Sequence, residues 1–304
     1  MNLKLRQLVL RFSPESWLES AKRIKKALRR RSLKKQEQFG GITPSEITTQ
    51  LKKLGLSNGD SVLVHSSLSK IGFVKGGASA VIAALREAVG KEGTLLMPSF
   101  PAIGRNKEYL ESGAVFDLRL TPSAMGIITE TFRKMPGVIR SLHPTDPVCA
   151  QGPLAEYYTS THFGQLTPYN EKSPFKKLAE KKGKILMLGT TLNGAGTSLH
   201  CLEDAVEFPY PIYDKNIFEV TMIDQYGVQR TMQTKVHNPE WSIKRNCDAL
   251  KPVFEKKGVL INGKTGQADT MLIDAALMFE VMINEFKARG VTMYTPYGTT
   301  KQHS

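Results

Sequence analysis

His200 and Glu203 stand three residues apart in Thr197-Ser198-Leu199-His200-Cys201-Leu202-Glu203-Asp204. On a helix that spacing puts both side chains on one face. A carboxylate beside an imidazole orients the ring and raises its basicity, which suits a general base near neutral pH. Thr197 precedes His200 by three residues, so its hydroxyl can join them. The pattern predicts a catalytic group of His200, Glu203 and Thr197, against the plainer reading of a structural helix histidine. A zinc site would need a third ligand, and none is evident beside this pair.

Two further segments place polar groups at the ends of apolar runs. The first contains Ser66, Ser67, Leu68, Ser69, Gly72, Lys75, Gly76 and Gly77, between an apolar strand and a helix. Backbone amides and a helix N-terminus suit an anion such as a phosphate, and glycines let it approach the backbone. The loop is neither GxGxxG nor GxxxxGK[ST], so the nucleotide fingerprints are absent. A plain strand-to-helix connection explains it equally well. The second is Arg140-Ser141-Leu142-His143-Pro144-Thr145-Asp146-Pro147. Arg140 can pair with a phosphate, although a turn built by two prolines is the simpler reading.

These segments need a frame. Residues 61–65 and 94–98 read as short buried strands with an amphipathic helix over 78–89 between them, which implies a parallel crossover. Residues 184–189 are the most strand-like run. A small-residue loop over 190–196 and a helix over 197–206 follow. Thr43 and Glu46 form a capping box that opens another helix. Helices are also expected over 123–133, 174–182 and 269–288, and a strand over 138–142. Residues 212–236 alternate like a hairpin that turns at Asp224-Gln225-Tyr226-Gly227. The expected fold is α/β, a mixed and largely parallel sheet sandwiched by helices, with a small antiparallel insertion near 212–236.

The net charge of +14 is unevenly spread. Residues 1–38 hold 12 basic and 3 acidic residues, a net +9, which leaves +5 for the other 266. Trp17, Ala21, Ile24 and Leu28 recur at helical spacing among the bases. Residues 1–41 therefore read as a basic amphipathic arm suited to an anionic membrane surface, the alternative being a solvated helix packed on its own domain or on a second subunit. Nucleic acid is disfavoured because few aromatics interleave with the bases. Cys149, Cys201 and Cys247 lie too far apart for a disulfide framework or a structural zinc site. No signal peptide and no run long enough to span a bilayer is present. The expected location is the cytoplasm, with association to the inner membrane face through the arm.

At the three polar segments the chain resembles the aminoglycoside N(3)-acetyltransferase family. The resemblance covers roughly residues 43–290. It rests on His65-Ser66-Ser67-Leu68 with Gly76-Gly77, on Arg140-Ser141-Leu142-His143-Pro144, and on Ser173-Pro174-Phe175. It also rests on Leu188-Gly189 followed by Thr197-Ser198-Leu199-His200 and Glu203, and on Gly266-Gln267-Ala268-Asp269 before the expected last helix. It implies an acyltransferase domain over 42–304 that moves an acetyl group from acetyl-CoA directly to an amine, with no metal. The 66–77 loop with Arg140 and Ser141 would hold coenzyme A, and His200 would take the amine proton. His143, Asp146, Asp204, Glu207 and Tyr210 are expected to frame the acceptor.

A polycationic acceptor calls for an acidic pocket, whereas the body is mildly basic. The expected acceptor is therefore an amino sugar on a nucleotide or lipid carrier in surface polysaccharide synthesis. An aminoglycoside, as in antibiotic resistance, is the alternative. A non-catalytic CoA-binding module is the second alternative, and a homo-oligomer is the expected assembly.

Overall fold

The computed structural model describes residues 37–38, 40–103 and 106–299. The basic arm predicted for 1–41 therefore lies almost wholly outside the described residues. Strict alternation organises the centre of the sheet. In β1 (Ser61–Ser66) and β2 (Thr94–Pro98), Val62, Val64, Leu95 and Met97 pack to one side, and Leu63 and Leu96 to the other. In β6 (Lys184–Leu188), Leu186 and Leu188 join the first side, and Ile185 and Met187 the second. Both faces are apolar, so both need helices over them.

Helices α1 (Pro44–Leu54) and α2 (Gly77–Val89) cover the first face through Ile47, Leu51, Val81, Ile82 and Leu85. Their N-termini follow the residues: Thr43 and Glu46 close the predicted capping box. Helix α3 (Ile127–Arg133) adds Ile128 and Phe132 to this side. On the second face lie α4 (Pro174–Glu180) and α6 (Ala275–Arg289), which bring Phe175, Leu178, Met278 and Met282. The short α5 (Cys201–Ala205) contributes Cys201 and Leu202 there.

The other strands are β3 (Phe116–Asp117), β4 (Ile139–Arg140), β5 (Val148–Gln151), β7 (Phe218–Ile223), β8 (Gln229–Thr234), β9 (Leu260–Thr265) and β10 (Ala268–Asp274). The main sheet runs β4-β5-β2-β1-β6-β10-β9. Pairing is parallel at its centre, β2-β1-β6, and antiparallel on both flanks. Ser66 lies opposite Leu188, and the Ser67 N–H donates to the Leu188 carbonyl at 2.9 Å. The loops after β1 and β6 are thus joined at their roots.

The predicted hairpin is present as β7 and β8, and β3 completes a small three-stranded sheet with its own core of Phe116, Leu118, Val220, Met222 and Met232. Its turn is held by Asp224, whose carboxylate accepts from the Tyr226 and Val228 N–H groups. The helix expected over 269–288 divides into strand β10 and helix α6. Asp274 caps the helix by accepting from the Leu277 N–H, which ends the strand there. Gly266, at φ +57°, makes the tight turn from β9 to β10 rather than one before a helix.

Candidate active site

The central strands β1, β2 and β6 run in parallel, so the loops leaving them share one sheet edge, where ligands of α/β sheets bind. Two cavities open there. One, of about 590 Å³, is walled by Phe100 and Ala102 after β2, by residues 192–197 and His200 after β6, and by His237 and Arg245. The other, of about 420 Å³, is walled by the loop after β1 and the start of α3.

The chain after β6 makes a 3-10 turn over Thr197–His200 and continues into α5. His200 Nδ1 lies 2.9 Å from Glu203 Oε1, as the spacing predicted. Both side chains are buried, at 5% and 4% exposure. Burial is the main cause that lowers the His200 ring to about 4, so it is neutral and able to accept a proton at pH 7. Burial alone would raise the Glu203 carboxyl. The His200 and His237 imidazoles and their hydrogen bonds instead hold it far below the usual range. Thr197 shares the cavity wall, but no hydrogen bond joins it to His200.

Four residues complete the group without a motif to announce them. His237 Nε2 meets Glu203 Oε2 at 2.7 Å, and the Tyr294 hydroxyl donates to Glu203 Oε1 at 3.1 Å. Arg245 Nη1 lies 2.7 Å from His200 Nε2. Tyr169 packs over both imidazoles, with ring centroids 4.9 and 5.5 Å away. The only signal for His237 was its place at a strand end before Asn238-Pro239. Ligating atoms of His200, Glu203 and His237 lie within 4.8 Å of one another. Each ring nitrogen that faces Glu203 is already engaged by its carboxylate, so the trio reads as a hydrogen-bond network.

Ser66, Ser67, Leu68, Ser69, Gly72 and Gly77 line the second cavity together, whereas Lys75 and Gly76 are exposed beside it. Arg140 and Ser141 are corrected to scaffold residues. Arg140 is 5% exposed and donates to the carbonyls of Thr121, at 2.6 Å, and of Leu118 and Ser99. Its guanidinium also lies over the Phe116 ring. Both terminal nitrogens are thus engaged by carbonyls, and the whole guanidinium is buried away from the second cavity. The buried Ser141 hydroxyl bonds His162 Nδ1 and accepts from the Val148 N–H.

His143 is corrected likewise, being fully buried and stacked on His162 with centroids 4.5 Å apart. Asp146 does reach the first cavity, where it accepts from the Tyr169 hydroxyl at 2.8 Å, and burial raises its carboxyl. Asp204, Glu207 and Tyr210 lie outside that wall. Asp204 accepts from the Tyr213 hydroxyl, Glu207 is exposed, and Tyr210 stacks on Trp241.

All three cysteines are buried free thiols, and burial pushes Cys247 up to about 12 and Cys201 higher still. None is a thiolate nucleophile at neutral pH. A neutral histidine held by a carboxylate, in the wall of one of two cavities on one sheet edge, is an arrangement suited to base-assisted transfer between two substrates.

The family model for aminoglycoside 3-N-acetyltransferase matches residues 63–287. Aminoglycoside N(3)-acetyltransferase III from Salmonella sp is 36% identical over 256 aligned residues, covering 77% of this chain and 87% of that protein. The structure of AAC-IIIb with CoASH superposes with a TM-score of 0.68 at 28% identity, covering 81% of this chain and 97% of that one. A mutant of AAC(3)-IVa in complex with a gentamicin gives 0.67 at 26% identity, covering 81% and 88%. The chain belongs to the aminoglycoside 3-N-acetyltransferase family. It is an N-acetyltransferase whose cosubstrate is acetyl-CoA. The polysaccharide setting expected from the charge distribution has no support among these relatives. No helix among the described residues is long and apolar enough to cross a membrane.

Proposed function

We propose that this enzyme acetylates an amine of an aminoglycoside, with His200 Nε2 taking the proton from the attacking nitrogen. The observation that carries the reading is the neutral His200, hydrogen-bonded to Glu203 at 2.9 Å, in the wall of a cavity that also presents Glu108 and Asp146. Carboxylates are what an ammonium-rich sugar needs there. The gentamicin complex of the AAC(3)-IVa mutant supports the choice of acceptor.

Coenzyme A is assigned to the second cavity. Leu68, Phe73, Val74, Ile127 and Ile128 offer an apolar path for a pantetheine arm, and the Ser67 and Ser69 hydroxyls and the α2 N-terminus offer donors. The amine attacks the thioester carbonyl, the N–C bond forms and the C–S bond breaks. Glu203 stabilises the imidazolium that results, and the proton passes on to the departing sulfur.

The test is thiol release from acetyl-CoA with aminoglycosides, compared with nucleotide-linked amino sugars. His200→Ala should lose about 10²–10⁴ in kcat and keep its coenzyme A affinity. Turnover of His200→Ala at the wild-type rate would remove the base. Turnover with nucleotide-linked sugars alone would remove the acceptor.

A further inference from the structure

A guanidinium has donors and no acceptor, so a nitrogen that meets it must carry a lone pair. Arg245 Nη1 lies 2.7 Å from His200 Nε2. Nε2 is therefore bare, and the proton of the neutral ring sits on Nδ1, 2.9 Å from Glu203 Oε1. Had the ring taken the other tautomer, two N–H groups would collide at Nε2 and Glu203 would lose a donor. We infer that Arg245 is a positioning residue that locks His200 in its Nδ1–H tautomer, bares Nε2 toward the acceptor cavity, and drives the captured proton off Nε2 after attack. This rests on His200 acting as the base proposed above.

The arrangement can do this because Arg245 is anchored at Nε by the backbone, while among the described residues its Nη1 meets only the His200 ring at the cavity wall. Its Nε donates to the Ser242 carbonyl at 3.1 Å, and Ser242, Arg245, His200 and His237 all line the same cavity. The acceptor amine takes the place of Nη1 on Nε2, and the guanidinium stays beside the ring. Attack forms the N–C bond, breaks the C–S bond and moves the amine proton to Nε2. An imidazolium next to a guanidinium is a strong acid, so its proton goes to the coenzyme A thiolate, which leaves as the thiol. No proton is gained or lost overall.

The groups that face His200 come from several elements. Glu203 shares its segment. His237, after β8, lies 4.4 Å away between ring centroids. Tyr169 lies 4.9 Å away and donates its hydroxyl to Asp146. Tyr294 stands behind Glu203. Burial is the largest cause that lowers the ring, and Glu203 opposes it. His237 and Arg245 both act with burial.

The experiment uses Arg245→Ala and Arg245→Lys in the full chain, with isotope-labelled imidazole resonances followed against pH. The wild-type His200 should show the Nδ1–H tautomer. In Arg245→Ala a share of the Nε2–H tautomer should appear beside the Nδ1–H form that Glu203 still favours, and the ring should titrate higher. The same variant should lose about 10²-fold in kcat with little change in KM for acetyl-CoA. Arg245→Lys, whose ammonium also donates to Nε2, should restore most of the rate and the native tautomer. An Arg245→Ala protein that keeps both the wild-type tautomer and the wild-type titration overturns the inference, even if its activity falls. The resonance readout needs no acceptor. A failure of the aminoglycoside reading would show in the thiol-release panel while the tautomer result still stood.

Discussion

Replacing Glu203 by glutamine tests the electrostatic core of the site with almost no change of shape. The carboxylate takes His200 Nδ1 at 2.9 Å, His237 Nε2 at 2.7 Å and the Tyr294 hydroxyl at 3.1 Å. Glutamine keeps one of its two oxygens and puts an NH₂ where the other was. If the amide oxygen stays with His200 and Tyr294, the NH₂ meets His237, whose proton must move to its other nitrogen. If it turns the other way, His200 is forced into the wrong tautomer. Either way the negative charge that stabilises the His200 imidazolium is gone. With charge centres about 4 Å apart and an effective dielectric of about 20, that interaction is worth roughly 4 kcal/mol. Since each 1.4 kcal/mol is about tenfold in rate, kcat should fall by about 10³. Stability should fall by only about 1–3 kcal/mol, the cost of one mispaired buried donor. The assay is thiol release at saturating substrates, with coenzyme A binding measured by calorimetry and stability by urea unfolding. A variant that keeps kcat within about fivefold of wild type would refute the reasoning, because the carboxylate would then not be tuning the base.

Two further perturbations address the scaffold. Arg140→Ala should cost about 3–5 kcal/mol, because it strands two buried carbonyls and one part-buried one, and should leave KM for acetyl-CoA unchanged; normal stability with a raised KM would restore Arg140 to the cofactor site. His65 and His200 are both held at about 4, chiefly by burial, against roughly 6.5 when unfolded. Below about 6.5 the unfolded chain binds more protons, so stability is complete above that pH and is lost as pH falls toward 4, by up to about 3 kcal/mol per ring. Scanning calorimetry should show the melting temperature dropping across that window, and a flat melting temperature from pH 7 to 5 would contradict it.

The parts legible in the sequence are those whose causes are local. The apolar runs at 61–65 and 184–189, the Thr43–Glu46 capping box and the Asp224–Gly227 turn each fix their structure within a few residues, and each is found to within a residue. The His200–Glu203 pair is local too, and its spacing survives a 3-10 turn in place of the expected helix. What escaped is set by distance. His237 and Arg245 meet the pair across 34 and 45 residues, through a hairpin whose docking the sequence does not encode in any short pattern. Arg140 failed for the opposite reason. Its residue type is right for a phosphate, but only the packed structure reveals that Ser99, Leu118 and Thr121 claim both of its terminal nitrogens first. Residues 269–274 read as helix because Thr-Met-Leu-Ile continues into a strongly helical run, and only pairing with β6 makes them a strand.

The bond between the Ser67 amide and the Leu188 carbonyl has a consequence for how this enzyme can diversify. It pins the proposed coenzyme A loop and the histidine-bearing loop to a common root in adjacent strands, so the spacing between thioester and base belongs to the sheet. The opposite wall of the acceptor cavity comes from elsewhere, from residues 100–103 and 106–108 and from Pro239 and Ile243 beyond the small sheet. Insertions and substitutions in those outlying segments can therefore alter which amine is admitted while the reacting distance is inherited intact. New clientele can be acquired by remodelling one rim, with no need to reinvent the chemistry.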